Sequence, residues 1–149
     1  MRAVVQRVRQ AHVEIEGRVT GRIGKGLAVL VGIRRGDGDE EIEYLGDKIL
    51  DLRIFPDEKY PINRSLRDAG GEILLISQFT LYGDCRKGRR PSFDEAETPE
   101  RAQEVYRRFV EHLSGRGFRP QEGIFGAMMI VSLENDGPVT ILLDSEKSF

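Results

Sequence analysis

A chain of 149 residues has the length of one ordinary domain and can bury a hydrophobic core without disulfides or metals, so a single domain over residues 1–149 is expected. Its 23 basic and 25 acidic residues are interspersed, and the formal net charge of −2 excludes a protein that coats nucleic acid through a broad excess of Lys and Arg. The single cysteine, Cys85, excludes an intrachain disulfide and a cysteine-rich zinc site and is typical of a reducing compartment, so the expected location is cytoplasmic.

The N-terminal part of the chain predicts β-strands. Charged residues recur throughout residues 1–17, and no stretch of about 18 apolar residues occurs anywhere, so neither a secretion signal nor a membrane span is expected. Apolar residues alternate with polar ones on both sides of Gly17, and this period of two predicts a half-buried hairpin. Residues 27–33, LAVLVGI, are apolar throughout, which predicts a strand that is covered on both faces.

Two segments predict amphipathic helices. Asp39 is the expected N-cap of the first, whose apolar residues recur on one face: Ile42, Leu45, Ile49 and Leu52. Thr98 as N-cap and Pro99 at the first helical position begin the second, which Gly115 or Gly117 ends. Its apolar face consists of Ala102, Val105, Phe109, Val110 and Leu113.

The remaining strands lie on both sides of the second helix. Residues 72–81, EILLISQFTL, predict a strand, and residues 83–98, which have glycines, a proline and no sustained period, predict a loop. Two closing strands, residues 128–133 and 139–143, flank an expected tight hairpin at NDGP, residues 135–138. The pattern predicts a mixed α/β domain in which about six or seven short strands curl into a barrel-like sheet flanked by two amphipathic helices.

The residues that most enzymes use for catalysis are scarce. The two histidines, His12 and His112, have no Cys, Asp or Glu at a metal-ligand spacing, so both are predicted to be structural and no metal site is expected. The chain lacks a nucleophile elbow, a glycine-rich phosphate loop before a helix and an HExxH motif, and no cofactor is expected. An enzyme with this sequence has to work without the common catalytic groups.

Polar residues occur in two stretches where the fold alone does not require them. In a regular strand, SQFTL places Ser77 and Phe79 on one face and Gln78 and Thr80 on the other, so part of this set is buried and needs hydrogen-bond partners. The loop segment RKGRR, residues 86–90, lies near Tyr82 and Phe93, and together they suit a phosphate backbone and a stacked base. The alternatives are a strand that leaves the core and a solvated charged loop.

Taken together, these stretches resemble the D-aminoacyl-tRNA deacylase family. The resemblance is carried by residues 74–93, LLISQFTLYGDCRKGRRPSF, by residues 123–129, GIFGAMM, and by residues 135–140, NDGPVT, in family-like order and spacing. The opening MRAVVQRVRQAHVEIEG and the C-terminal LLD fit as well, so the resemblance extends over essentially the whole chain. It implies a deacylase-type barrel-like fold that forms a homodimer.

The resemblance also implies how a substrate is selected. The Gly137-Pro138 pair, joined by a cis bond, is expected to enter the active site of the partner subunit beside Ser77 and Gln78. The carbonyl oxygens of this pair would fix the α-amino group of an aminoacyl-tRNA. A D side chain then points outward, whereas an L side chain meets rigid backbone. Glycyl-tRNA, which has no side chain to reject, is an expected second substrate.

Each motif residue has an implied role. Catalysis is expected from Ser77, Gln78, Phe79 and Thr80, with backbone N–H groups around Phe79 and Thr80 as oxyanion donors and the 2′-hydroxyl of the RNA in place of a side-chain nucleophile. Arg7 is expected to tether the Gly-Pro loop. The residues expected to bind the terminal adenosine and the tRNA are Phe125, Met129, Arg86, Lys87, Arg89 and Arg90. Neither DNA nor a membrane is an expected partner.

Two other classes of function are left open by the sequence. A non-catalytic RNA-binding module would depend on Arg89 and Arg90 and would tolerate Gly137→Ala. A small-molecule esterase would use Thr80 or Ser77 as a nucleophile and would form a covalent intermediate. The deacylase hypothesis predicts neither behaviour.

Overall fold

The computed structural model describes all residues, 1–149, as one mixed α/β unit built on a six-stranded sheet. The strands are β1 (Arg2–Ile15), β2 (Arg18–Ile23), β3 (Gly26–Gly32), β4 (Glu72–Ser77), β5 (Gln121–Glu122) and β6 (Ile130–Asp144). The helices are α1 (Asp39–Asp51), α2 (Leu66–Ala69), α3 (Pro99–Gly115) and a 3-10 helix at Phe79–Tyr82.

Strand β1 organises the sheet because it pairs with three neighbours. Its first half pairs antiparallel with β3 and its second half with β2, while β6 runs antiparallel along nearly its whole length. Strands β3, β4 and β5 continue the sheet in parallel. The sheet curls until β2 meets β5, where a Cβ atom at Gly21 would lie 2.5 Å from the carbonyl oxygen of Glu122. The expected barrel-like sheet is confirmed as a nearly closed barrel.

Both faces of the central strands are covered, as the apolar run in β3 predicts. Leu27, Val29 and Val31 point into the main core, which α1 and α3 complete. Ala28 and, in part, Leu30 point to the opposite face and pack in a second, smaller core. The barrel therefore has an apolar layer on each side of its central strands.

The two long helices pack on each other through a glycine. The N-cap of α1 is Gly38 rather than the predicted Asp39, and the N–H of Gly38 donates to the Glu41 carboxylate at 2.8 Å. Helix α3 begins at Pro99 after Thr98, as predicted. A Cβ atom at Gly46 of α1 would lie 2.6 Å from Cδ2 of His112, so only glycine lets α3 approach this closely.

The prediction of a strand through Leu81 is wrong. Strand β4 ends at Ser77, which pairs with Val31 of β3 as the last residue pair between the two strands. After the N–H of Gln78 donates to the carbonyl of Val31 at 2.7 Å, the chain coils into the 3-10 helix. The face alternation predicted for residues 77–80 therefore does not apply.

The predicted hairpin at NDGP is also wrong, because the two closing segments form one strand. Strand β6 starts at Ile130 and pairs with β1 on both sides of the motif, with Asn135 opposite Val8 and Thr140 opposite Gln6. Four residues, 136–139, therefore lie opposite the single residue Arg7, and the chain bulges outward between the two paired halves. We call residues 136–139 the Gly-Pro bulge.

Candidate functional site

The first part of the candidate site is a cavity where β4 ends. It has a volume of about 570 Å³ and is lined by Ser77, Gln78 and Phe79, together with the N-terminal end of α3 and the Phe125-Gly126 turn. The floor is apolar, because Val31 and Ile33 of the central sheet reach it. Apolar walls with a few polar groups at one end are typical of a small-molecule binding pocket.

The polar residues at the end of β4 contain no acid–base pair. The Gln78 side-chain amide donates to the hydroxyl of Thr80, and no carboxylate, histidine or lysine contacts that hydroxyl. An amide N–H cannot accept a proton, so Thr80 has no base beside it. Phe79 and Thr80 are the first residues of the 3-10 helix, and the N–H groups of a helix's first turn lack partners within it. Backbone N–H groups are therefore the main hydrogen-bond donors at this end of the cavity.

The second part of the candidate site is the Gly-Pro bulge. The peptide bond between Gly137 and Pro138 is cis, and both residues are exposed to solvent. Together with Arg9 and residues 134–136 they line a separate hollow of about 420 Å³. No residue of the bulge lines the Ser77 cavity, so one protomer does not bring the two parts together.

The guanidinium group of Arg7 contacts the Gly-Pro bulge from the interior of the protein. This buried side chain donates from Nε to the carbonyl of Asp136 at 3.2 Å and lies 3.2 Å from the Asp136 carboxylate. Its Nη1 donates to the carbonyls of Ile54 and Pro61, so the guanidinium is held on two sides. Arg7 therefore contacts the Gly-Pro bulge directly, and its tethering role stays a prediction.

Asn135 is a functional candidate that the sequence reasoning did not single out. Its side-chain amide donates to the carbonyls of Arg7 and Val139 at 3.0 and 2.9 Å and so spans the base of the bulge. The sequence does contain a signal for this role. The short side-chain amide of Asn commonly forms hydrogen bonds to nearby backbone in turn-forming segments such as Asn-Asp-Gly.

The two residues expected to sandwich adenine lie in different environments. Phe125 lines the Ser77 cavity, and its ring centroid lies 5.8 Å from that of Tyr106. Met129 packs against the second core and does not line the cavity. The structure therefore brings Phe125, but not Met129, to the cavity wall of the protomer.

The basic segment 86–90 stands on a loop whose ends are paired by backbone hydrogen bonds between Asp84 and Ser92. Arg86 forms a two-point pair with Asp84, with N–O distances of 2.9 and 2.7 Å. Hydrogen bonds from Arg86 lower the pKa of the Asp84 carboxyl to about 2. The other three cations are exposed and form no ion pair: Lys87, Arg89 and Arg90.

Only one of the two aromatic residues expected near this loop is available to a ligand. Tyr82 is buried, and its pKa is raised mainly by desolvation. Phe93 is half-buried and packs edge-on against the exposed Phe79, with ring centroids 5.0 Å apart. Phe79, and not Tyr82, is therefore the exposed aromatic residue beside Phe93.

Neither histidine belongs to a metal cluster. His12 lies beside Glu14 at 2.9 Å and His112 beside Asp47 at 3.0 Å, and no group of three or more His, Cys, Asp or Glu residues is placed to hold a metal ion.

None of the helices is long and apolar enough to cross a membrane.

Comparisons with known proteins agree on one family. Residues 4–144 match the family described as D-Tyr-tRNA(Tyr) deacylase. A D-aminoacyl-tRNA deacylase of Clostridium kluyveri is 58% identical over 149 residues, and one of Syntrophomonas wolfei is 60% identical, with 100% of both chains covered in each case.

Solved structures share the fold. A structure titled "c-Myc DNA Unwinding Element Binding Protein" superposes with a TM-score of 0.91 at 44% identity, covering 97% of this chain and 99% of that one. A probable eukaryotic D-amino acid tRNA deacylase superposes with a TM-score of 0.82 at 21% identity, covering 95% and 97% of the two chains, and supports the fold alone.

Proposed function

Since the chain belongs to the D-Tyr-tRNA(Tyr) deacylase family, we propose that it is a cytoplasmic hydrolase that cleaves the ester bond of D-aminoacyl-tRNA and releases tRNA and a free D-amino acid. The observation that carries the proposal is full-length identity near 60% to D-aminoacyl-tRNA deacylases. The cavity beside Ser77 and Gln78 supports it, because a pocket of about 570 Å³ suits one nucleotide with its attached amino acid.

The complete site is composed of two protomers. In each protomer the Gly-Pro bulge is exposed and lies outside the Ser77 cavity, which supports a site in which a second copy of the chain supplies the bulge. Strand β6, which carries the bulge, pairs on one edge only and has exposed apolar side chains, with Ile130 66% and Leu142 56% exposed. An apolar edge strand of this kind is suited to pairing with another chain.

Stereochemistry is selected by backbone rather than by a side-chain pocket. The carbonyl oxygens of Gly137 and Pro138 accept hydrogen bonds from the substrate's α-amino group, which is a donor in either protonation state. Once that group and the ester are fixed, a D side chain points to solvent and an L side chain collides with the bulge. Glycyl-tRNA has no side chain that could collide with the bulge, so it is accepted as well.

Hydrolysis depends on backbone donors. A water oxygen bonds to the ester carbonyl carbon, the bond to the ribose oxygen breaks, and that oxygen takes up a proton. The charge that develops on the carbonyl oxygen is stabilised by the N–H groups of Phe79 and Thr80, and one such donor is worth about 2.7–4 kcal/mol in enzymes. Ser77 and Gln78 position the substrate, and the terminal ribose supplies its 2′-hydroxyl to the reaction.

The tRNA is held at the cavity and beside it. Phe125 contacts the terminal adenine on the cavity wall, and Met129 reaches it only if residues 126–129 rearrange. Lys87, Arg89 and Arg90 contact phosphates, since none of them has a carboxylate partner. Arg86 stabilises the loop through Asp84.

The decisive experiment compares D-tyrosyl-tRNA with L-tyrosyl-tRNA under identical conditions. We expect release of tyrosine from the D ester and retention of the L ester. Equal rates, or no hydrolysis of either, would reject the proposal, and binding of both without hydrolysis would identify an RNA-binding module instead.

A further inference from the structure

The segment NDGPVT, residues 135–140, has a polar residue on each side of the Gly-Pro bulge. Asn135 is the last residue before the bulge and Thr140 the first after it, and both are paired in register with β1. Neither residue contacts the Ser77 cavity. Their side chains nevertheless contact each other and both strands, so they belong to the structure that shapes the bulge.

Asn135 replaces the backbone pairing that the bulge interrupts. Its amide nitrogen donates to the carbonyl of Arg7 on β1 and to the carbonyl of Val139 at the far end of the bulge. A bulge leaves such groups without ladder partners, and buried carbonyls need donors. One side chain thus fixes the width of the bulge and its attachment to β1.

Thr140 fixes the orientation of that amide. The Thr140 hydroxyl accepts from the side-chain amide of Gln6 at 3.2 Å and lies 3.4 Å from Oδ1 of Asn135, to which it donates. A hydroxyl has one proton, so a donation from Gln6 leaves that proton for Asn135. The oxygen of the Asn135 amide is therefore directed to Thr140, and the nitrogen to the two carbonyls.

The two exposed residues of the bulge thus lie between neighbours that are fixed by hydrogen bonds. Arg7 holds Asp136 on one side, and Asn135 holds Val139 on the other. Gly137 and Pro138 lie between these ties and present their backbone to solvent. The position of their carbonyl groups therefore depends on the network of Gln6, Thr140 and Asn135.

We propose that Asn135 and Thr140 are positioning residues for stereoselection, because their hydrogen bonds determine the position of the Gly137-Pro138 backbone relative to a bound aminoacyl group. The inference rests on the proposed function and goes beyond it by assigning the selectivity to a side-chain network outside the cavity. If these hydrogen bonds are lost, the bulge can shift when an L side chain contacts it, and the L substrate is then rejected less strongly.

The test compares Asn135→Asp and Thr140→Val with the unchanged protein. Asp keeps the shape of Asn but loses the donor, and Val keeps the shape of Thr but loses the hydroxyl. We expect the ratio of kcat/KM for D- over L-tyrosyl-tRNA to fall at least about tenfold in both variants, which corresponds to about 1.4 kcal/mol. Thr140→Ser keeps the hydroxyl and should restore the ratio.

Two controls separate this inference from the proposed function. Thr20→Val removes a hydroxyl whose only contact is the carbonyl of Val13 at 3.5 Å, and it should leave the ratio unchanged. If the unchanged protein does not prefer the D ester, the proposed function fails. If it does, and Thr140→Val keeps the full ratio, the inference is overturned. Should Asn135→Asp fail to fold, Thr140→Val and Thr140→Ser decide alone.

Discussion

Among single residues, Asp84 gives Arg86 a role different from that of its basic neighbours. The guanidinium of Arg86 is occupied by a two-point contact with that carboxylate, whereas Arg89 and Arg90 form no ion pair. Four cations that look equivalent in the sequence therefore divide into one that stabilises the loop and three that are free for phosphates. The sequence predicted the cluster but not this division, because the conformation of the loop decides which cation meets Asp84.

This division predicts different salt dependences for two substitutions that change the net charge equally. Arg89→Gln should weaken tRNA binding and lower by about one the slope of log kcat/KM against log salt concentration, as expected for the loss of one phosphate contact. Arg86→Gln should leave the slope unchanged. Steady-state deacylation over a range of salt concentrations measures both, and equal slopes for the two variants would contradict the assignment.

Thr80 is the residue at which the esterase alternative can be tested. Its hydroxyl contacts only the Gln78 amide, which is a hydrogen-bond donor and cannot remove a proton. Thr80→Ala should therefore retain deacylation within about tenfold, since a lost neutral hydrogen bond is worth about 0.5–1.5 kcal/mol. Single-turnover assays measure the chemical step. A loss of several orders of magnitude, or a trapped acyl-enzyme, would restore Thr80 as nucleophile.

Among the elements, the sequence predicted those whose pattern is local. The period of two in β1 and β2, the apolar run of β3 and the Thr98-Pro99 start of α3 depend on neighbours in sequence, and all of them are present. The two errors in strand assignment arose where a distant strand decides. Strand β4 stops pairing with β3 at Ser77, and NDGP rejoins β1 instead of reversing the chain. Turn residues indicate that a chain bends, but not with which strand it pairs afterwards.

The contact between α1 and α3 predicts opposite effects for the same substitution at two glycines. Gly46→Ala places a Cβ 2.6 Å from Cδ2 of His112 and 3.5 Å from Cε2 of Phe109. Overpacking costs about 1–3 kcal/mol, and the gain in helix propensity of about 1 kcal/mol offsets only part of it. We expect Tm to fall by up to about 8 °C for a net loss of up to about 2 kcal/mol.

Gly115→Ala is the matched control, because nothing lies within 4 Å of a Cβ at this helical position. It should raise Tm slightly, since alanine is the better helix former. Thermal unfolding followed by circular dichroism measures both variants. If Gly46→Ala stabilises the protein as much as Gly115→Ala does, the two helices are not packed as closely as described.

For the whole molecule, the residue patterns predicted the candidate residues of the site, whereas the expectation that two protomers share them came from the family resemblance alone. Ser77 and Gln78 lie at the Ser77 cavity, and Gly137 and Pro138 lie in another hollow of the same protomer. Motif spacing by itself cannot show this separation, because it carries no information about which chain completes which pocket. The separation is what makes a second protomer necessary in the proposed function.

A complementation experiment tests the composite site. Gly137→Ala places a Cβ 2.8 Å from Cγ2 of Val139 and 2.9 Å from Nη2 of Arg7 at a φ of +124°, so it should disable the bulge. A second variant with Ser77→Ala and Gln78→Ala should disable the cavity. Each should deacylate poorly alone. After subunit exchange, their mixture should regain about a quarter of the unchanged activity, because half of the two-fold dimers are mixed and each holds one intact site.

The matched control for complementation is each variant mixed with itself. Sedimentation of the unchanged protein should give twice the mass of one chain. A mixture that gains no activity, although the subunits exchange, would place the whole site within one protomer.

The Gly-Pro bulge has a further consequence, because β6 regains its pairing with β1 on both sides of it. A change in the number of residues between Asn135 and Thr140 need not shift the register of any strand, so insertions that keep the ties to Asp136 and Val139 are compatible with the sheet. Libraries of such insertions at this one place would sample new acyl-group preferences while β6 stays paired with β1.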